Sequence, residues 1–186
     1  MISRAAADRA RDIVSRAEAL GARVLVDGRA VKPPPGCERG FWMGPTLLHL
    51  GDASTAERSP AYTEEIFGPV QCIVEVETLD DAIAFVNRNA WGNGGAIFTA
   101  SGSSAHAFAN GARIGQVGVN VPVPVPLPVV SFTGNKRSFL GQHNFYGRGG
   151  INFFTQTRTI ISSWPAPAPA GTAHASPLVM PTPGRT

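Results

Sequence analysis

An α/β fold with a parallel-type sheet and a further strand near the carboxyl end is what this sequence predicts, on three observations. Segments rich in β-branched residues alternate at short intervals with segments that carry apolar residues at helical spacing. The helical segments open on Ser or Thr at capping positions. The intervals between the later strand segments hold the helical crossovers that parallel pairing requires.

The elements follow in order. Ala6, Ala10, Ile13, Val14, Ala17 and Leu20 share one helical face, with Ser3 placed to cap its start and Gly21 to follow its end. The Arg, Ala and Ser of this segment superficially resemble an organellar transit peptide, but Asp8, Asp12 and Glu18 interrupt it, so a folded amphipathic helix is expected. Residues 23–29 read as a short strand entering an Asp-Gly turn, 32–36 as a loop, and 41–48 as an extended stretch broken by Gly44 and Pro45. Residues 70–77 are rich in β-branched residues and read as a strand. Thr78 and Asp81 have capping-box spacing and open a helix with Leu79, Ile83 and Val86 on one side, ending near Asn89. Strand 95–100, helix 103–111 and strand 116–121 continue the alternation. Residues 122–128 alternate Pro with aliphatic residues, which excludes a central strand and predicts an extended segment lying against protein. Residues 151–161 alternate as a strand whose edge needs a partner, which another subunit can supply. From Pro165 the chain is rich in Pro, Ala and Ser with almost no charge, and disorder is expected there. The organisation is therefore 1–134 as an α/β portion, 135–164 as loop and strand, and 165–186 as tail.

Composition narrows the function classes. Of 186 residues, 16% are charged and 43% hydrophobic, so the chain is neither a disordered polyelectrolyte nor a membrane span, which needs a run of about 18 apolar residues. The net charge of +3 is scattered rather than gathered in a stripe, so neither nucleic acid nor a membrane is an expected partner. Cys37 and Cys72 are too few for a disulfide framework. Cys37 lies in a Pro/Gly loop and Cys72 mid-strand, neither beside a helix start or cation that lowers a thiol pKa. The histidines at 49, 106, 143 and 174 lack metal-ligand spacing, and no metal is expected. The Gly-rich stretches 92–95 and 147–150 match no phosphate-loop pattern and read as turns. The densest cluster is EEIFGPV at 64–70, where two carboxylates, a ring and a Gly-Pro bend precede a strand. Such a cluster can form a pocket rim, the acid accepting hydrogen bonds from a diol and the ring packing on a flat heterocycle; it can equally be a solvated strand-entry turn.

EEIFGPV, the strand after it and TLDDAIAFVN at 78–87 resemble the aldehyde dehydrogenase superfamily. WGNG at 91–94, AIFT at 96–99, GQVGVNVPVPVPLP at 115–128, SFTG at 131–134, NFYG at 144–147 and FTQ at 154–156 resemble its CoA-acylating methylmalonate-semialdehyde dehydrogenase branch, as does SPLVMPTPGR at 176–185. Residues 165–175 depart from that pattern. The resemblance implies NAD-dependent oxidation of methylmalonate or malonate semialdehyde to propionyl-CoA or acetyl-CoA, in valine and pyrimidine (thymine) breakdown, with coenzyme A as co-substrate. It implies that Glu65 contacts the ribose on the nicotinamide side and that Phe67 packs near the nicotinamide. The strand from Phe153 to Ile161 then belongs to an oligomerisation arm of a homo-oligomer. The resemblance covers the carboxyl-terminal portion of that family. Its nucleophilic-cysteine motif and Rossmann-type NAD domain lie upstream of the part matched here, and neither Cys37 nor Cys72 occupies that motif. No catalytic residue is therefore assigned in the chain, which is expected to be inactive alone and to expose an apolar patch. The alternative is a non-catalytic oligomerisation partner of a full-length enzyme. By resemblance the location is the mitochondrial matrix in a eukaryote and otherwise the cytoplasm.

Overall fold

Ser3 accepts a hydrogen bond from the Ala6 N–H at 3.1 Å and starts helix α1, Arg4–Ala19. The helix stops at Leu20 and Gly21, whose φ of +98° suits glycine. The computed structural model describes residues 1–141 and 144–164. The expected disorder and family-like end of 165–186, together with His143 and His174, lie outside the described residues.

Helix α1 buries Ala7, Ala10, Ile13, Val14 and Ala17. The face is therefore rotated slightly from the expected one: Ala7 replaces Ala6 at its edge, and Leu20, at the cap, is exposed. Beneath it lie strands β1 (Arg23–Val26), β2 (Thr46–Asp52) and β3 (Val70–Glu75), with β1 antiparallel and β3 parallel to β2. Thr46, Leu48 and Leu50 alternate inward along β2, so period-2 geometry delivers one strand face to the helix. The strand predicted over 41–48 thus forms only from Thr46. Before it, Gly44 lies so close to Gly28 that a Cβ on Gly28 would meet the Gly44 carbonyl oxygen, and the Gly44 N–H donates to the Gly28 carbonyl at 2.8 Å. The connection after β2 holds two short helices absent from the sequence reading, α2 (Ala53–Ala56) and α3 (Pro60–Thr63), capped by Asp52 and Ser59. Ile13, Val14, Leu48, Leu50, Ala56 and Ala61 belong to one buried cluster.

Helix α4 (Leu79–Arg88) starts at the expected capping box: Thr78 Oγ1 accepts from the Asp81 N–H at 3.1 Å. Strand β4 (Gly94–Ile97), helix α5 (Gly102–Gly111) and strand β5 (Gln116–Val119) form a parallel crossover unit. At Gly111 an added Cβ would meet Ile83 at 3.1 Å, which shows how closely α4 and α5 approach. The parallel-type sheet of the sequence reading is thus two small sheets, one mixed and three-stranded, one parallel and two-stranded.

Two expectations are corrected. The Pro-rich run meets the protein only through Pro124 and Pro126, which are half-buried, Pro124 approaching Gly94 and Gly118, while Pro122 and Pro128 are exposed and Val123, Val125 and Leu127 are each at least 65% exposed. Residues 151–153 are helical rather than extended, as the last turn of α6 (Gly147–Phe153), and 155–164 run on exposed without strand pairing. A strand needs a ladder partner, and this chain offers Phe153 to Ile161 none among its described residues.

Candidate functional site

The 64–70 cluster leaves α3 as a rim that helix α1 holds in place. Arg9 Nη1 donates to the Glu65 carbonyl oxygen at 2.6 Å, and Arg16 Nη1 pairs with Glu64 Oε1 at 2.8 Å, with Arg9 Nη2 at 3.5 Å from the other Glu64 oxygen. The hydrogen bond from Arg16 holds the Glu64 carboxyl below its usual range. One of the two acids is thus consumed by structure. Glu65, exposed, lines a cavity of about 410 Å³. Tyr62 and Phe85 stack in its wall at 4.6 Å between centroids, and Asn89, Trp91 and Asn93 also line it.

Phe67 sits two residues on with φ +46°, a left-handed conformation that costs a non-glycine residue about 1–2 kcal/mol. Its ring is 84% exposed and does not line the Glu65 cavity. Beyond it Gly68 packs against Met1 and Ala10, and the Pro69 carbonyl accepts from the Thr46 N–H at 2.8 Å, tying the bend to the sheet. A large apolar ring in a strained conformation and in water gains nothing from this chain's own packing. That outlier points to a ligand or another protein surface as its partner.

Glu65 and Phe67 lie two residues apart on one bend, but only Glu65 lines the cavity. Both face outward, the carboxylate free to accept two hydrogen bonds and the ring free to stack. Arg9 and Arg16, which fix that rim, were missed. Their seven-residue spacing puts them on one helical face, but nothing local links that face to residues fifty positions later. Phe85 and Trp91 enter the sequence reading only as members of the TLDDAIAFVN and WGNG strings, and Tyr62 not at all.

Cys72 is half-buried in β3 with its sulfur 3.7 Å from the Ala61 carbonyl oxygen, and burial pushes its pKa up, away from the thiolate. Cys37 is exposed in a loop where its carbonyl accepts from the Trp42 indole N–H at 2.8 Å. His49 pairs with Glu75 at 2.8 Å, and exposed His106 contacts Asn110. Among the described residues no three His, Cys, Asp or Glu side chains gather as metal ligands, and no helix is long and apolar enough to cross a membrane.

Against known proteins, residues 1–160 match the sequence profile described as "Aldehyde dehydrogenase family". The mitochondrial, acylating methylmalonate-semialdehyde/malonate-semialdehyde dehydrogenase of Homo sapiens is 45% identical over 185 residues, spanning 100% of this chain and 33% of its own length. The crystal structure of methylmalonate-semialdehyde dehydrogenase from Oceanimonas doudoroffii superposes with a TM-score of 0.83 at 37% identity, over 89% of this chain and 33% of that one. A Sinorhizobium meliloti protein described as a methylmalonate-semialdehyde dehydrogenase, solved with NAD, also gives 0.83, at 38% identity and the same coverage. The chain thus spans about a third of the length of the relatives it matches.

Proposed function

The chain belongs to the aldehyde dehydrogenase family, and on that premise we propose that it serves the NAD-dependent, CoA-acylating oxidation of methylmalonate or malonate semialdehyde to propionyl-CoA or acetyl-CoA, the substrate's carboxylate leaving as CO2. The observation that carries this reading is the 45% identity along the whole chain to the human enzyme of that name. The NAD-bound neighbour supports the cofactor.

In this reading the Glu65 carboxylate accepts hydrogen bonds from the cofactor's ribose hydroxyls, and the Phe67 ring packs at its nicotinamide end. Bound NAD would supply the hydride acceptor for the oxidation. The work of these residues is positioning: Arg9 holds the Glu65 backbone carbonyl and Arg16 the Glu64 carboxylate, so that the free Glu65 carboxylate meets the diol without reorganising. Neither Cys37 nor Cys72 is set up as the nucleophile that takes the aldehyde and hands the acyl group to coenzyme A. The 186 residues alone are accordingly proposed not to turn over.

The exposed apolar surface of 151–161, with Phe154, Ile160 and Ile161 each at least 76% exposed, supports pairing with another subunit in a homo-oligomer. It also supports the second reading, a non-catalytic partner that joins full-length subunits. The mitochondrial human relative supports the matrix as location in a eukaryotic source, with the cytoplasm in a bacterial one.

The test uses the native polypeptide that contains these residues. Glu65→Gln is expected to raise the KM for NAD about tenfold, as one charge-assisted hydrogen bond is weakened, with the KM for semialdehyde unchanged. An unchanged KM for NAD contradicts the assigned contact. The isolated chain is expected to form no NADH from semialdehyde, NAD and CoA, and measurable turnover by it refutes the proposed inactivity.

A further inference from the structure

The turn between α4 and β4 lines the same cavity as Glu65, and a lysine holds it. Lys136 comes from a segment fifty residues away, its backbone bridging Trp91. Its Nζ lies 2.9 Å from the Val86 carbonyl oxygen, 2.9 Å from that of Asn89 and 3.5 Å from that of Trp91. Val86 and Asn89 are at the carboxyl end of α4, where the last carbonyls have no helical partner and the helix dipole favours positive charge. Three acceptors around one nitrogen match the three N–H donors of an ammonium; a neutral amine has two.

The surroundings are built around this side chain. The Ala90 carbonyl accepts from the Arg137 N–H at 3.1 Å, and Ser138 Oγ accepts from the Gly92 N–H at 3.1 Å. Gly92 leaves room for the stem, since a Cβ there would stand 3.3 Å from Lys136 Cε. Lys136 adopts φ +53° to make the reach. Partial burial and the nearby Arg113 lower its pKa. Val86, Asn89, Trp91 and Ser138 all line the Glu65 cavity.

We propose that Lys136 is a positioning residue, the resident cation of a carbonyl cage that fixes the α4–β4 wall of the cavity Glu65 also lines. The cage is a property of this chain's fold and stands independently of the cofactor assignment. It predicts behaviour that ordinary side-chain packing does not: emptied of its lysine, the cage accepts a small free cation.

The test uses the 186-residue chain with nitrogen-15 labelled tryptophan. Its three Trp residues give three indole signals, and Trp91→Phe identifies the one on the wall. Lys136→Met, of similar length but uncharged, is expected to lower Tm by about 5 °C and to shift the Trp91 signal. Lys136→Ala is expected to show the same losses and to recover Tm and the Trp91 position on addition of ethylammonium chloride. Lys136→Met, whose side chain fills the site, and wild type respond to the salt no more than to sodium chloride. If Lys136→Ala does not fold alone, refolding with ethylammonium but not with sodium supports the cage. An unmoved Trp91 signal and wild-type Tm in Lys136→Met overturn the proposal, as does a Lys136→Ala chain that ethylammonium fails to restore. Neither failure touches the NAD reading, whose own test is the KM of Glu65→Gln.

Discussion

At the scale of single residues, Phe67 carries the clearest departure from what packing alone would choose. Its backbone is in the left-handed region and its ring is in water. Phe67→Gly removes the steric cost of that conformation and loses little burial, so the unfolding free energy is expected to rise by up to about 1 kcal/mol, less the entropy glycine gains in the unfolded chain. Urea titration of the two chains measures this. A fall of more than 1 kcal/mol would mean that the ring is packed against the chain and is not free for a ligand. That Glu65 and Phe67 share one bend was legible in sequence, because only Ile66 separates them. Lys136 was not legible. A lysine in a Gly- and Ser-containing loop reads as solvated, and only the fold brings it to a helix end fifty residues earlier.

At the scale of elements, α1 does two jobs with two faces. Its apolar face closes the core through Ala10, Ile13 and Val14, and its basic face pins the rim through Arg9 and Arg16. The Glu64 carboxyl, paired with Arg16, titrates below its ordinary value of 4.5, so its contribution to stability is present above that pH and lost as pH falls through the lowered pKa. The stability gap between wild type and Arg16→Gln is therefore expected at neutral pH and expected to close in acid. Thermal denaturation between pH 7 and pH 2 reads it, and a gap constant with pH would remove the ion pair from the account. Caps and amphipathic faces made α1 and α4 readable, since both signals are local. The short helices α2 and α3 escaped because four-residue elements carry no period to detect. The strand expected over 151–161 did not form because alternation gives a face but no ladder partner, and the chain turns helical through Phe153 instead.

At the scale of the whole molecule, the two small sheets leave much apolar surface outside. Val123, Val125, Leu127, Val129 and Phe154 are each at least 65% exposed. Surface of this kind is stable when another part of the same protein, or another subunit, covers it. It fits a chain that spans about a third of the length of its relatives. The family was readable because its motifs are contiguous strings, EEIFGPV and GQVGVNVPVPVPLP among them. How the strings assemble into a site depends on contacts between distant segments, which no local pattern encodes. The central claim is that these residues serve CoA-acylating, NAD-dependent oxidation of a semialdehyde. The most direct measurement purifies the native polypeptide with an antibody against residues 116–128 and supplies methylmalonate semialdehyde, NAD and CoA. Propionyl-CoA and NADH formed in equal amounts are the predicted result. A free acid formed without CoA consumption, or no NADH at all, would contradict it.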